Sequence, residues 1–434
     1  MTLEKDRIAG SIQGMFVGDA LAMPVHWYYS PVKLRNDYGE VTGMMNPKPV
    51  HAESMLQGMS YKGTLDILHD KAIYYENNHT PKTLTEEEIA LRRDDHGNFV
   101  GAKADERVHY HQSLIKGQNT VNACIARLLM RYLAEKNMSQ QDCYDPDEFL
   151  ERFKVYMTTS PTKDPNDKSQ VEFHNDTYLD VYVRGFFANA SDMSSPKRRL
   201  RDCALSQRDS WSIGSLDGVL MAIPLIAAYA NEPEAMVIGR AVEHAMLTHK
   251  SVTVTMVLSV LTPLLLDLYH GADLKETLVK AMGKMRPPAC SGREMRDSYV
   301  AYQGPGNIPR HDKWVQHMRT SSEAFYPDFL EEMLAQESDE DVAGWGDRPN
   351  SRLSTACYCE QAFSIVLYLC YKYCDDPKTA LIQNARIGGH STARGAVIGA
   401  ILGAAYPDNI PFFDQLCASQ EIATEVDGLL ATIS

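Results

Sequence analysis

The chain has 434 residues, with 43 Lys and Arg against 57 Asp and Glu, and its formal net charge is −14. Hydrophobic residues make up 44% and charged residues 23%, a balance that supports a large buried core and excludes a disordered protein. The acidic surplus argues against nucleic acid or an anionic membrane as the main partner, because both would be repelled overall. A small anionic molecule could still bind in a local basic pocket.

The sequence predicts a cytoplasmic protein. The charged start, residues 1–7, is not typical of a secretory signal. The apolar stretches at 218–230 and 251–266 each contain a proline and are shorter than the roughly 20 residues that span a bilayer. The nine cysteines lack the spacing of a disulfide framework, which is typical of a reducing compartment.

Glycines recur every four residues near both ends of the chain: Gly10, Gly14 and Gly18 at the start, and Gly395, Gly399 and Gly403 at the end. A glycine inside a helix costs roughly 1 kcal/mol relative to alanine, so a repeated stripe requires a compensating gain. Close approach between helices supplies that gain. We therefore expect the first and last helices to pack tightly on their neighbours or on each other, closing a single domain over residues 1–434.

Helical spacing also dominates the middle of the chain, and the alternation typical of strands is scarce. Apolar stripes predict helices around 121–132 and 149–156, and further helices are expected over 177–189, 215–230, 234–248, 251–270, 353–374 and 377–386. The predicted fold class is all-α. Segments 31–115 and 287–350 are rich in Pro, Gly, Asn and charge. We expect both to form loops over a site that the helices carry.

Four short polar segments stand at predicted helix ends, at residues 18–29, 117–120, 174–177 and 388–392. Free backbone N–H groups and the positive end of a helix dipole can hold an anion or a sugar hydroxyl at such places. Helix capping alone would explain any one of the four. Their number favours a functional site.

These segments carry a resemblance to a known family. Residues 14–25 resemble the N-terminal signature of the ADP-ribosylglycohydrolases, Gly-x-x-x-Gly-Asp-Ala-Leu-Gly-x-Pro. Residues 117–129, 212–228 and 388–406 are similar to three later segments of that family, in the same order. The resemblance implies an all-α bundle that holds two magnesium ions and cleaves the glycosidic bond between ADP-ribose and a side chain or small molecule.

The chain departs from that family at the expected metal ligands. Gln118 and Asn119 stand where the family has paired aspartates, His390 and Thr392 replace the C-terminal aspartates, and His26 replaces the first acid. Magnesium prefers carboxylate oxygens. The sequence therefore predicts no dinuclear magnesium site, names no metal-ligating residue, and implies no other cofactor.

A branch of the family fits this pattern more closely. Residues 26–29, 117–120, 174–178 and 394–396 look like the branch that contains the jellyfish J1-crystallins and selenoprotein J. Members of that branch also depart from the two-metal ligand set.

The residues left for chemistry are few. Asp176 is predicted to act as a base with His174 as its orienting partner, and His26 and His390 are predicted proton donors. For each histidine the alternative is a satisfied capping or surface residue. Predicted substrate-binding residues are Asp19, Gln118, Asn119, Thr120, His174, Ser391 and Thr392.

Three other motifs are weaker. The segment 92–98 contains an acidic pair but reads as a turn. His109 and His111 could bind zinc, although surface exposure is the favoured interpretation. The acidic run 337–341 is expected to be a solvated loop.

Two functions follow from the sequence. The leading hypothesis is a hydrolase of a glycosidic bond in an ADP-ribosyl or other ribosyl or nucleotide-like small molecule, working without the two magnesium ions. The alternative is an inactive relative that serves as a binding or crystallin-like structural protein, motivated by the missing carboxylates.

Overall fold

The computed structural model describes residues 3–54, 109–112, 114–136, 144–158, 174, 176, 178–191, 199–295, 320–344 and 351–433. The first half of the helical framework comprises α1 (Lys5–Ala22), α2 (Pro31–Tyr38), α3 (Val121–Glu135), α4 (Pro146–Thr158), α5 (Val181–Ser191), α6 (Asp217–Leu220), α7 (Ile223–Ala228) and α8 (Glu234–Ala245). The second half comprises α9 (Val252–Tyr269), α10 (Leu274–Lys284), α11 (Leu330–Leu334), α12 (Asp339–Val342), α13 (Cys359–Lys372), α14 (Pro377–Ile387), α15 (Ser391–Ala405) and α16 (Ser419–Thr432). In these ranges the only paired strands are β1 (Leu205–Ser206) and β2 (His249–Lys250), which run parallel. The all-α prediction is confirmed.

Most predicted helices are present with shifted ends. The helix expected over 215–230 is interrupted at residues 221–222, because Pro224 falls in the first turn of α7 and lacks the N–H that would continue α6. The helix expected from residue 353 begins only at Cys359. Helices α10 and α16 follow charged amphipathic sequence, and the sequence analysis did not predict them.

The predicted loop regions are partly helical. Segment 31–115 begins with α2, where Pro31 occupies the first turn and the Ser30 hydroxyl accepts a hydrogen bond from the Lys33 backbone N–H. Segment 287–350 contains α11 and α12. Residues 55–108, 113, 296–319 and 345–350 lie outside the described part of the chain, and so does the turn predicted at 92–98.

The acidic run 337–341 is not the solvated loop that its charge predicted. Asp339 begins α12 and is only 6% exposed. Its carboxylate accepts hydrogen bonds from the hydroxyls of Tyr368 and Tyr373 and from the ammonium group of Lys372, at 2.7 to 2.8 Å. These three hydrogen bonds offset the free-energy cost of burying the carboxylate, and they join α12 to α13.

Two helical segments, Lys5–Val25 and Val252–Tyr269, are long and apolar enough to cross a bilayer. Within the structure, 89% and 72% of their apolar windows are buried against the rest of the protein. That burial is the pattern of core helices.

The two glycine stripes pack on each other. In an antiparallel pair, Gly10 of α1 faces Gly403 of α15, Gly14 faces Gly399, and Gly18 faces Gly395. A Cβ added at any of these positions would overlap the backbone carbonyl oxygen of the facing glycine. Backbone therefore lies against backbone, which explains why glycine is kept here despite its cost inside a helix.

This pairing fixes where the polar ends of the two helices meet. Because α1 and α15 are antiparallel, the C-terminal end of α1 adjoins the N-terminal end of α15. His26 follows the short 3-10 turn Met23–Val25 after α1, and His390 is the N-cap residue of α15. The helix pair thus brings together two segments about 360 positions apart in sequence.

We expect Gly18→Ala to lower the free energy of unfolding by about 3 kcal/mol, because backbone cannot retreat as a flexible side chain can. Gly239→Ala in α8, where an added Cβ meets nothing within 4 Å, is the control and should raise stability by about 0.5 to 1 kcal/mol. Urea unfolding measures both. Equal stability of the Gly18 variant and the wild type would contradict the packing.

Candidate functional site

Backbone pairing holds the segment after α1 against the segment before α15. The Trp27 N–H donates to the Gly389 carbonyl at 2.7 Å, and the Gly389 N–H donates to the Tyr28 carbonyl at 2.6 Å. Gly388 and Gly389 have φ of 66° and 65°, and a Cβ at either would overlap a neighbouring carbonyl oxygen. Only glycine suits both the conformation and the space. His26 and His390 are held rigidly as a result, with ring centroids 4.8 Å apart.

A buried chain of hydrogen bonds runs from His26 to Asp176. His111 Nδ1 donates to Asp176 Oδ1 at 2.8 Å, and His111 Nε2 lies 2.7 Å from His26 Nδ1. The Val121 N–H, at the start of α3, donates to Asp176 Oδ2 at 3.0 Å. All three side chains are at most 2% exposed. His111 therefore orients Asp176, a role that the sequence analysis assigned to His174.

The surface exposure favoured for His109 and His111 is wrong, since they are 0% and 2% exposed. His109 Nδ1 accepts from the His111 N–H at 3.0 Å, and its Nε2 donates to the Pro24 carbonyl at 2.8 Å. His51 makes the same kind of pair, accepting from the Glu53 N–H and donating to the His26 carbonyl, each at 3.0 Å. His51 and His109 are therefore neutral imidazoles that bind the backbone carbonyl groups of His26 and Pro24.

A second buried carboxylate, Asp19, ties α1 to the start of α3. It accepts from the Thr120 N–H at 2.8 Å, from the Thr120 hydroxyl at 2.6 Å and from the Asn119 amide at 2.9 Å. Burial raises the pKa of Asp19 in spite of these three bonds. Gln118 accepts from the Ile115 N–H at 3.0 Å. The polar atoms of these predicted substrate-binding residues thus form hydrogen bonds within the protein, which join α1 to the segment before α3.

Ser391 and Thr392, at the start of α15, are also buried. The Ser391 hydroxyl donates to the Ala22 carbonyl at 3.3 Å, which joins the two glycine-striped helices once more. The Thr392 hydroxyl lies 3.4 Å from His26 Nε2. His26 is thus contacted on both ring nitrogens, by Thr392 on one side and by His111 on the other.

Two carboxyl groups that the sequence analysis missed lie beyond His390. His390 Nε2 lies 3.2 Å from Asp217 Oδ2 in α6, and the Ser215 hydroxyl donates to the same oxygen at 2.8 Å. The Asn122 amide nitrogen donates to both Asp217 and Asp180, at 2.9 Å each. Asp180 follows the predicted polar segment by three positions, and Asp217 lies in the segment that carried the family resemblance. Those placements were signals available in the sequence.

The site residues face two cavities. One, of about 310 Å³ including space open to solvent, is lined by residues that include Trp27, Tyr178, Asp180, Asp217 and His390. The other, of about 580 Å³ on the same measure, is lined by residues that include Gln118, Asn119 and His174. The predicted site residues therefore do not converge on one cavity. His26, His390 and Asp176 belong to one connected network, whereas Gln118, Asn119 and His174 border a separate space. Residues 175 and 177 of the predicted polar segment lie outside the described part of the chain.

The network separates protonated from neutral imidazoles. Burial lowers the pKa of His26 well below its usual value, and the neighbouring His390 and His111 lower it further. Burial would also lower the pKa values of His111 and His390, but the adjacent carboxylates Asp176 and Asp217 raise both above the usual value. His26 is therefore neutral between two imidazoles that hold protons.

The pKa values of the two carboxyl groups in the smaller cavity are shifted in opposite directions. Burial and the charge of Asp217 raise the pKa of Asp180 to about 6. Burial acts on Asp217 in the same direction, but His390 outweighs it and the pKa of Asp217 is lowered. One cavity thus presents a carboxyl group that can hold a proton near pH 6 and a second that stays ionised, the combination used for glycosidic cleavage.

The fold and this pair of carboxyl groups define an all-α protein with a buried acidic site. Over residues 1–431 the chain matches the ADP-ribosylglycohydrolase family, and it belongs to that family, which is hydrolytic. A solved structure described as an "ADP-ribosylglycohydrolase-related protein complex" is 14% identical, with a TM-score of 0.50 over 99% of both chains. That likeness shows the fold. No curated protein matches this chain in sequence.

Acid should destabilise the site through His249, which is fully buried beside Asp217 and Ser215. Burial lowers its pKa to about 4, so the folded state favours the neutral ring. The resulting stability is present above pH 6.5 and is lost as the pH falls from 6.5 to 4, by up to about 3 kcal/mol. His249→Asn should remove that part of the pH dependence in urea unfolding.

Thr248→Val is the matched control for this measurement. It removes the hydroxyl that lies 2.9 Å from His249 Nδ1 and leaves the titrating ring in place. Its loss of stability should be similar at pH 7 and pH 4.5. If His249→Asn and the wild type lose stability in parallel over that interval, the neutral buried imidazole is refuted.

Proposed function

We propose that this protein hydrolyses the glycosidic bond of a ribosyl or nucleotide-like small molecule, the ADP-ribosyl group being the one that its family name indicates. One observation carries the proposal: Asp180 and Asp217 line one cavity and are bridged by the Asn122 amide. Family membership and the fold support the general reaction class.

The two carboxyl groups would divide the work of cleavage. Departure of the leaving group develops positive charge on the sugar, and an acid that protonates the leaving atom lowers the barrier. Asp180, with a pKa of about 6, is the proton donor. Asp217, held ionised by His390, stabilises the developing positive charge and accepts a proton from the attacking water.

We assign positioning roles to two residues that the sequence predicted to be catalytic. Both oxygens of Asp176 are used, one by His111 and the other by the Val121 N–H. His26 is neutral and is sandwiched between His111 and His390. Together they fix the ring of His390. His390 itself lines the smaller cavity, beside the reacting groups.

The reaction proposed here uses no dinuclear magnesium site, because the polar groups at the family's metal positions do not fit one. Asp19 already accepts three hydrogen bonds. The Asn119 amide donates to Asp19 and to the Phe16 carbonyl. His390 holds a proton beside Asp217, and its positive charge opposes a dication. Within the described ranges, no group of three or more His, Cys, Asp or Glu side chains is arranged to hold a metal ion.

For the remaining predicted binding residues we propose a contact in the larger cavity. Gln118, Asn119 and His174 line it, so a ligand that reached them would lie beside the start of α3. For Thr120, Ser391 and Thr392 we propose a structural role, because their hydroxyls contact Asp19, the Ala22 carbonyl and His26.

A second candidate is an inactive binding or structural protein of the branch that contains the J1-crystallins. The saturation of Asp19 and Asp176 by buried donors favours it, because such carboxylates are built into the framework. It differs from the first candidate in leaving Asp180 and Asp217 without a chemical role.

We also propose that the protein works in the cytoplasm and binds neither nucleic acid nor membrane. Each cysteine within the described ranges is free, as is usual in a reducing compartment. The net charge of −14 would oppose polyanionic surfaces.

Asp180→Asn should lower kcat about 100-fold or more on substrates whose leaving group needs a proton, the usual contribution of a general acid. On such substrates the kcat/KM of the wild type should fall as the pH rises above about 6, where Asp180 loses its proton. ADP-ribosylated serine peptides and N-ribosides of a neutral base are the substrates to assay.

Asp209→Asn, an exposed aspartate that caps β1, is the matched control and should leave the rate unchanged. Asp217→Asn should be as damaging as Asp180→Asn. Asp176→Asn and His26→Ala should cost less than either, since they act through His390. Full activity in the Asp180 and Asp217 variants would show that other residues carry the reaction, whereas absence of activity in the wild type would favour the inactive relative.

Magnesium should have no effect on this reaction. Dialysis against EDTA followed by assay, with and without added magnesium, should give equal rates, and calorimetry with ADP-ribose should give equal affinities in the two buffers. Restoration of a lost activity by magnesium alone would show that a metal site forms in spite of the hydrogen bonds of Asp19.

A further inference from the structure

We propose that the smaller cavity selects a glycoside whose leaving group carries a positive charge and which has no pyrophosphate. The inference rests on the proposed hydrolase function and narrows its substrate class. It departs from the ADP-ribosyl ligand that the family name suggests, and three features of the cavity support it.

The first feature is charge. The cavity is lined by two carboxyl groups, Asp180 and Asp217, and by one imidazole, His390. The ion pair of His390 with Asp217 is neutral overall, which leaves Asp180 as a net negative charge once it is ionised. No Lys or Arg is among the residues described as lining this cavity. A pyrophosphate would meet repulsion here, whereas a cation would be attracted.

The second feature is the aromatic wall. Trp27 and Tyr178 line the cavity with ring centroids 4.8 Å apart, close to an edge-to-face arrangement. Trp27 has φ of 69°, a conformation that a bulky residue adopts only when its surroundings impose it. Aromatic faces attract cations. The guanidinium carbon of Arg184, which is not among the residues described as lining the cavity, lies 5.7 Å from the Tyr178 ring centroid.

The third feature is a pair of buried polar atoms without a hydrogen-bond partner in the described part of the protein. They are Nδ1 of His390 and Nε1 of Trp27, and His390 is only 1% exposed. Buried polar atoms normally find partners. Because Asp217 keeps His390 protonated, its Nδ1–H is a donor, as is the Trp27 indole. The hydroxyls of a sugar would satisfy both.

A cationic leaving group also changes the chemistry required of Asp180. In an N-ribosylpyridinium, the bond between the anomeric carbon and the nitrogen breaks, and its electron pair stays on nitrogen to give a neutral pyridine. Water then bonds to the anomeric carbon, and its proton passes to Asp217 and on to solvent. No proton has to be given to the leaving group, so ionised Asp180 serves this substrate as a counter-charge.

The test compares nicotinamide riboside with its reduced dihydro form, which has nearly the same size but no positive charge. Calorimetry at pH 7.5 should show the cation binding at least tenfold more tightly than the reduced form, and more tightly than ADP-ribose. Asp180→Asn should bring the two forms to within about twofold. Asp209→Asn removes the same charge outside the cavity and should preserve the preference.

A second arm uses pH. The preference should shrink between pH 7.5 and pH 5 as Asp180 takes up a proton, with Asp217, His390 and His111 as the charged groups around it. Chromatographic detection of nicotinamide provides a separate readout of cleavage, which should become faster as the pH rises through about 6.

The outcomes separate the two proposals. Charge-selective binding without nicotinamide release would overturn the hydrolase function and leave the ligand class standing. Cleavage of ADP-ribosyl substrates with equal affinity for the two riboside forms would overturn the ligand class alone. Tighter binding of ADP-ribose than of nicotinamide riboside, or binding of neither riboside, would also overturn it. Tyr178→Leu, which retains all the carboxyl groups, should weaken the binding of the cation more than the binding of the reduced form.

Discussion

The contact between the glycine stripes of α1 and α15 is the constraint on which the rest of the structure depends. Direct backbone contact allows almost no sliding, since each glycine is fitted to a carbonyl of the facing helix. The ends of the two helices are therefore fixed relative to each other. Trp27 and Gly389 then continue the contact as a short ladder of backbone hydrogen bonds. The position of His26 beside His390 is a consequence of helix packing and does not depend on a flexible loop.

Onto this frame the chain builds a network of buried charges in which almost every member is satisfied by another. Carboxylates hold protons on His111 and His390, and those two imidazoles leave His26 neutral between them. Such networks are costly when incomplete, because a buried charge without a partner loses its hydration. The unsatisfied atoms of His390 and Trp27 stand out against that background. They lie where the network reaches the smaller cavity.

The sequence predicted the parts of this structure that depend on local pattern. The spacing of apolar residues was sufficient to predict the all-α fold, and the spacing of the glycines was sufficient to predict that α1 packs closely on a neighbour. Both patterns can be seen within one short segment of sequence. Contacts that depend on distant segments were not predictable. Asp217 lies in a segment that carried the family resemblance, but its ion pair with His390 depends on the packing of α15 and has no signal in the sequence. His109 and His111 look exposed by composition and are buried because they face Pro24 and Asp176. Asp180 lies near a predicted polar segment, but the Asn122 amide that it shares with Asp217 is visible only in the structure.

The antiparallel pairing of the first helix with a helix that ends at residue 405 also has a consequence for synthesis. A ribosome makes α1 before α15, and roughly 370 residues lie between the end of α1 and the start of the partner that covers its glycine stripe. During that interval α1 is an apolar segment without its native neighbour, the kind of exposed surface that chaperones bind. Long-range closure of this sort also slows folding. The network that joins His26 to His390 can form only after that closure, so the nascent chain carries no completed site before α15 has been made.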